Sequence, residues 1–116
     1  MEITGDDALT LTALFLLIGS AGLLGIVALA ARGTMRPNRW IGLRSDRLLE
    51  SPRAWQAGHT AALPLIGATC AAAFLLAATG LVLPWTMARA AMLFLAAVAL
   101  FGGVVRAQVV ADTAAD

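Results

Sequence analysis

The chain has 116 residues, 60% of them apolar and only 13% charged, with a formal net charge of +1. A soluble domain runs nearer half apolar and a quarter charged, and a chain this short carries more apolar side chain than one water-soluble core can enclose. The near-neutral balance offers nothing to nucleic acid, and a single histidine and a single cysteine, Cys70, exclude an internal disulfide and leave almost nothing for metal or nucleophilic chemistry.

No ionisable side chain occurs between Asp7 and Arg32, and only His59 between Arg53 and Arg89. Apolar stretches of 18 or more residues read as membrane spans. The sequence therefore predicts an all-α integral membrane protein with one domain. Its three spans are placed at about 8–31, 54–79 and 85–108, and a polar loop at 32–53 joins the first two.

The run from Ala8 to Ala31 has 24 residues, about 36 Å of helix, enough to cross a hydrocarbon core about 30 Å thick. Ala28-Leu29-Ala30 has the small-x-small form of a signal-peptide cleavage site. The preceding residues are acidic, however (Glu2, Asp6, Asp7), and the run is too long for a signal peptide, so a retained first span is expected.

The second uncharged stretch, Ala54 to Ala88, is too long for one crossing and divides within Thr79–Pro84. Gly80 is placed where a helix ends and Pro84 where one begins. Span two opens at Ser51-Pro52, an N-cap followed by proline at the first helical position, and Pro64 is expected to kink it. Trp55 and Trp85 are read as aromatic belt residues at opposite interfaces. In span three only 16 residues, Ala90 to Val105, separate Arg89 from Arg106. Arg89 is thus read as a boundary residue that snorkels outward, the alternative being a charge facing the bundle. Small residues four apart (Ala21 and Gly25, Gly67 and Ala71, Ala99 and Gly103) would permit close helix approach.

Six of the eight basic residues, all arginines, lie in the loop from Arg32 to Arg53, whereas the amino end is acidic. The positive-inside rule makes that loop cytoplasmic, the N-terminus outside and the C-terminus inside. Trp40, Ile41, Leu43, Leu48 and Leu49 interleave with the arginines, a composition suited to the interface, with guanidiniums at the phosphates of anionic lipids. Pro37-Asn38 and Gly42 mark turns, and Ser45 can cap a short helical turn holding Leu48 and Leu49.

The run Pro37-Asn38-Arg39-Trp40-Ile41-Gly42-Leu43-Arg44-Ser45, followed by Ser51, Ala54-Trp55 and His59, resembles the signature of the SdpI family. These are bacterial membrane proteins named after an immunity protein against a sporulation-delay toxin. The family pattern is Asn-x-x-Ile-Gly-Ile-Arg-Thr, a short spacer, then Ser-x-x-x-Trp and Asn or His. Gly42, Arg44 and Trp55 fall in register; Leu43 and Ser45 replace the commoner Ile and Thr. The founding member has additional spans before the signature, so this chain resembles a short, three-span branch. The resemblance implies a multi-pass protein of a bacterial plasma membrane; toxin resistance and sequestration of a transcriptional repressor are what the founding member does.

The residues expected to carry function are Asn38, Arg39, Trp40, Gly42, Arg44, Trp55 and His59. Arg44 offers a bidentate fork for phosphate or carboxylate, on which Trp55 could stack. The alternative is that Asn38 and Arg44 cap helix-end carbonyls and fasten the loop to the bundle. His59 reads as a structural hydrogen-bonding residue ahead of a proton relay. With no acid–base or nucleophile–base pair, the sequence predicts no enzyme, no cofactor and no metal. It points to an immunity-type or signalling protein that binds a toxin peptide, lipid headgroup or cytoplasmic regulator. The competing reading is an accessory subunit of a larger membrane complex; transport by a homo-oligomer ranks last, since three helices hold no inverted repeat.

Overall fold

The computed structural model describes residues 2–115. Four helices follow one another: α1 (Gly5–Ala31), the short α2 (Asp46–Leu49), α3 (Pro52–Val82) and α4 (Thr86–Ala114). No strand occurs among the described residues. The three long helices are each long and apolar enough to cross a membrane, and the molecule measures 48 × 26 × 20 Å along its principal axes.

Local chemistry sets most of the helix ends. Thr4 and Asp7 form a reciprocal capping box at the start of α1, satisfying two amide donors that the first turn leaves open. At its other end Gly33, at φ +79°, supplies the left-handed turn. The amides of Gly33 and Thr34 return to the carbonyls of Ala30 and Leu29, a Schellman ending. Ser45 and Ser51 cap α2 and α3 by accepting from the amides of Leu48 and Ala54, and Pro52 occupies the first turn of α3.

The second span differs from the sequence expectation at its end. The helix runs through Gly80 to Val82. A Cβ on Gly80 would meet the Leu93 side chain and approach the Arg89 carbonyl, so this glycine serves helix approach and does not terminate α3. Termination falls to Leu83, extended at φ −65° and ψ 140°, because the following Pro84 disfavours helical backbone in the residue before it. Pro84 itself lies outside α4, whose N-cap is Trp85.

α3 is the central helix. It packs along both α1 and α4, which touch each other only sparsely. Its buried residues recur every three or four positions (Trp55, His59, Ala62, Ile66, Cys70, Ala73, Ala77), so one stripe of α3 fills the core. Small residues let α4 close on α3 along most of its length. A Cβ on Gly58 would overlap Leu48 and the Ala111 carbonyl, and one on Gly103 would overlap Thr69. Of the small-residue pairs expected to mediate approach, Ala99–Gly103 does so through Gly103, whereas Gly25 and Gly67 face open space. Phe15, Ile18, Phe94 and Phe101 point outward, as lipid contact requires. Pro64 sits on the exposed side of α3, which continues through it.

Arg89 resolves to the second of its two readings. Its side chain is only 11% exposed and turns into the bundle. Nε donates to the Gly80 carbonyl and Nη2 to Thr10 Oγ1, both at 2.9 Å. Nη1 lies 3.5 Å from Asp6 Oδ1. The last carbonyls of α3 have no partners within their own helix, and the guanidinium fork supplies one while tying α3 to the start of α1.

Candidate functional site: the loop between α1 and α3

The segment from Arg32 to Ser51 has almost no regular structure, yet it is fixed by hydrogen bonds. Within it, Asn38 organises a tight turn. Its Oδ1 accepts from the amides of Trp40 (3.0 Å) and Ile41 (2.7 Å), and its Nδ2 donates to the Arg36 carbonyl. A short amide side chain bonding to backbone two or three residues on is the chemistry of an Asx turn. The Arg44 guanidinium closes the same turn by donating to the Arg39 carbonyl.

Two α3 side chains hold this loop from below. Trp55 is 1% exposed; its indole N–H donates to the Met35 carbonyl at 3.0 Å. His59 is fully buried. Its Nε2 accepts from the Leu43 amide at 3.1 Å, and its Nδ1 lies 2.8 Å from the Trp55 carbonyl. Only the neutral ring protonated on Nδ1 satisfies both contacts, an assignment that follows from the network. The two rings lie against each other, centroids 4.2 Å apart and inclined at 44°.

Gly42 passes over this pair. Its φ of +96° is a conformation L side chains rarely adopt. An added Cβ would also stand 3.0 Å from His59 Nε2 and 3.2 Å from Trp55 Cη2. The family resemblance put Gly42, Trp55 and His59 in one motif; the structure makes them one contact.

The expected residues thus divide. Gly42, Trp55 and His59 form the buried support. Asn38, Arg39, Trp40 and Arg44 build the turn above it, with Trp40 85% exposed at the tip beside the half-exposed Ile41. Arg44 is directed to Arg39, and the Trp55 ring is occupied by His59 and Gly42. Trp55 is therefore a core residue and not an interfacial belt residue; Trp85, 67% exposed, fits the belt role.

Three further residues outside the motif brace the loop or the helix end from which it leaves. Gln108 of α4 accepts from the Arg44 amide at 2.9 Å, while its own Nε2 is buried without a partner. Gln56 and Thr60 both donate to the Ala31 carbonyl at the end of α1. An amide between Arg106 and Asp112 in an otherwise apolar helix was the one sequence signal that could have exposed Gln108. No group of three or more His, Cys, Asp or Glu among the described residues is arranged to hold a metal ion.

This arrangement of Asn, Gly, Arg, Trp and His coincides with a known family pattern. The model of the SdpI/YfhL protein family matches residues 34–106. The chain belongs to this family. The matched stretch begins in the loop and covers α2, all of α3 and most of α4, so the features the SdpI family pattern describes are the loop and the helices that support it. Together with the three apolar helices, membership makes this a multi-pass membrane protein. No curated protein and no solved structure matches the chain significantly.

Proposed function

We propose that the protein is a binding protein of the bacterial plasma membrane, immunity-type or signalling in role, whose working element is the loop between α1 and α3. It is not assigned an enzyme's role, since the sequence supplies no acid–base or nucleophile–base pair. In this reading the loop faces the cytoplasm, with the N-terminus outside and the C-terminus inside. The support is the arginine asymmetry: six basic residues in the loop against an acidic amino end.

The observation that carries the binding role is the contrast within the loop. A buried Trp55–His59 pair fixes the backbone, and what it holds up is an 85% exposed tryptophan, Trp40, flanked by arginines. A topological signal needs only positive charge. A rigid exposed aromatic with adjacent guanidiniums is the composition of an interaction hot spot. Its occupant is a toxin peptide, an anionic headgroup or a cytoplasmic regulator. Co-purification from native membranes in mild detergent tests this: partners retained by the native chain should be lost from Trp40→Ser and Arg39→Gln.

A second reading, an accessory subunit, is favoured by one specific feature. An apolar groove of about 330 Å³ runs between α1 and α3, lined by Ser20, Ala21, Leu24, Cys70, Ala71 and Phe74 among others, and would accept a helix of a larger complex. A fixed membrane partner that survives the loop substitutions would support that reading.

A further inference from the structure

Two open hollows flank the start of α3, and Arg53 lines both. The one on the α4 side, about 340 Å³, is shared with Glu50 and the end of α4. The one on the α1 side, about 710 Å³, is lined by Pro52, Arg53, Gln56, Ala57, Thr60 and Ala61. Its position beside α1 follows from Gln56 and Thr60, whose side chains reach the Ala31 carbonyl.

The chemistry of the α1-side hollow changes along its length. At its mouth stands Arg53, exposed, with no acceptor for its guanidinium among the described residues. No carboxylate lines this side, whereas Glu50 lines the other, so an anion is favoured here and disfavoured there. One and two turns down, the wall is the methyl groups of Ala57 and Ala61. Gln56 Nε2 and Thr60 Oγ1 both donate to the Ala31 carbonyl, and Thr60 Oγ1 also to the Gln56 carbonyl. The trough therefore runs from a free guanidinium at the end of a membrane-crossing helix to a mostly apolar wall further along the same helix. That sequence of surfaces, cation then hydrocarbon at the depth where a span begins, is the complement of a phospholipid and of no soluble anion.

We propose that the α1-side hollow binds one anionic phospholipid, its phosphate on Arg53 and the upper part of an acyl chain along Ala57 and Ala61. The site is separate from the exposed Trp40 tip and stands whether or not the loop binds a partner. Arg32, which follows the Ala31 carbonyl that Gln56 contacts, is exposed and adds to the local positive field.

The test is native mass spectrometry of the full chain in dodecyl maltoside, titrated with dioleoylphosphatidylglycerol or dioleoylphosphatidylcholine. One phosphatidylglycerol should be retained in preference to phosphatidylcholine. Arg53→Gln should weaken its retention about fivefold, the effect of one basic residue near an anionic headgroup. Arg106→Gln removes the same charge from the exposed face of α4, away from both hollows, and should leave it unchanged. Ala61→Leu fills the trough without altering charge and should also reduce retention; the residue is exposed, so folding, checked by thermal melting, is not at stake. Equal losses from Arg53→Gln and Arg106→Gln would overturn the proposal in favour of diffuse attraction. So would full retention in Ala61→Leu, or displacement of the lipid by millimolar inorganic phosphate.

Discussion

Replacing Gly42 by alanine should be among the most damaging single-methyl additions the loop can receive. Two costs combine. The backbone at φ +96° is strained for any residue with a Cβ, at about 1–3 kcal/mol. The new methyl would also stand 3.0 Å from His59 Nε2 and 3.2 Å from the Trp55 ring, and neither ring can retreat because both are buried side chains of α3. Displacing His59 strands the Leu43 amide, at about 1–3 kcal/mol for a buried donor left unpaired. The sum is about 2–6 kcal/mol, to be read as loss of thermal stability in detergent and as accelerated proteolysis between Arg36 and Arg47. Gly33→Ala is the internal control. Its φ of +79° is also positive, but the nearest atoms to its Cβ belong to the flexible Gln56 side chain, so only the backbone cost, about 1–2 kcal/mol, applies. If Gly42→Ala were no worse than Gly33→Ala, the packing of Gly42 onto His59 and Trp55 would not matter and the account of the loop's rigidity would fall.

Further consequences concern the other anchors. His59→Phe keeps a ring in the core but removes the acceptor for the Leu43 amide, so melting should show a loss of about 1–3 kcal/mol. Arg44→Lys should leave stability nearly unchanged, because what the bundle holds is the Arg44 amide, through Gln108; a melting point that falls as far as in Gly42→Ala would contradict this. At the other end, Arg89→Met should cost about 1.5–3 kcal/mol through its charged hydrogen bonds to Gly80 and Thr10. Asp6→Asn should cost less than about 1 kcal/mol, since Asp6 is 67% exposed and exposed pairs contribute little. Gly58→Ala should destabilise by about 1–3 kcal/mol, its methyl overlapping Leu48 and the Ala111 carbonyl. Gly22→Ala, with open space at that position, should cost nothing in the same assay.

The apolar runs made the three long helices legible, because hydropathy along a chain reports directly on what must avoid water. The serine caps at Ser45 and Ser51 were equally legible, since a cap acts on amides three residues away. What escaped was the direction in which side chains face. Gly80 has the look of a helix end, but its neighbour is Leu93 on another helix, and local pattern carries no information about that approach. Trp55 has the composition of an interfacial residue and lies instead in the core, because the loop folds back over it to offer the Met35 carbonyl. Arg89 could snorkel or turn inward, and the unpaired carbonyl of Gly80 decided between them. The Arg44–Gln108 contact spans 64 positions, beyond the reach of any motif.

The central claim is that the loop is a rigid binding element presenting Trp40. The most direct measurement is quantitative mass spectrometry of what co-purifies from native membranes with the native chain, with Trp40→Ser, and with Trp85→Ser as the control at the opposite end. The account predicts that one or more partners bound by the native chain are lost with Trp40→Ser and kept with Trp85→Ser. A partner set that is indifferent to Trp40, above all a stoichiometric membrane complex, would contradict it and make the protein an accessory subunit held through its helices.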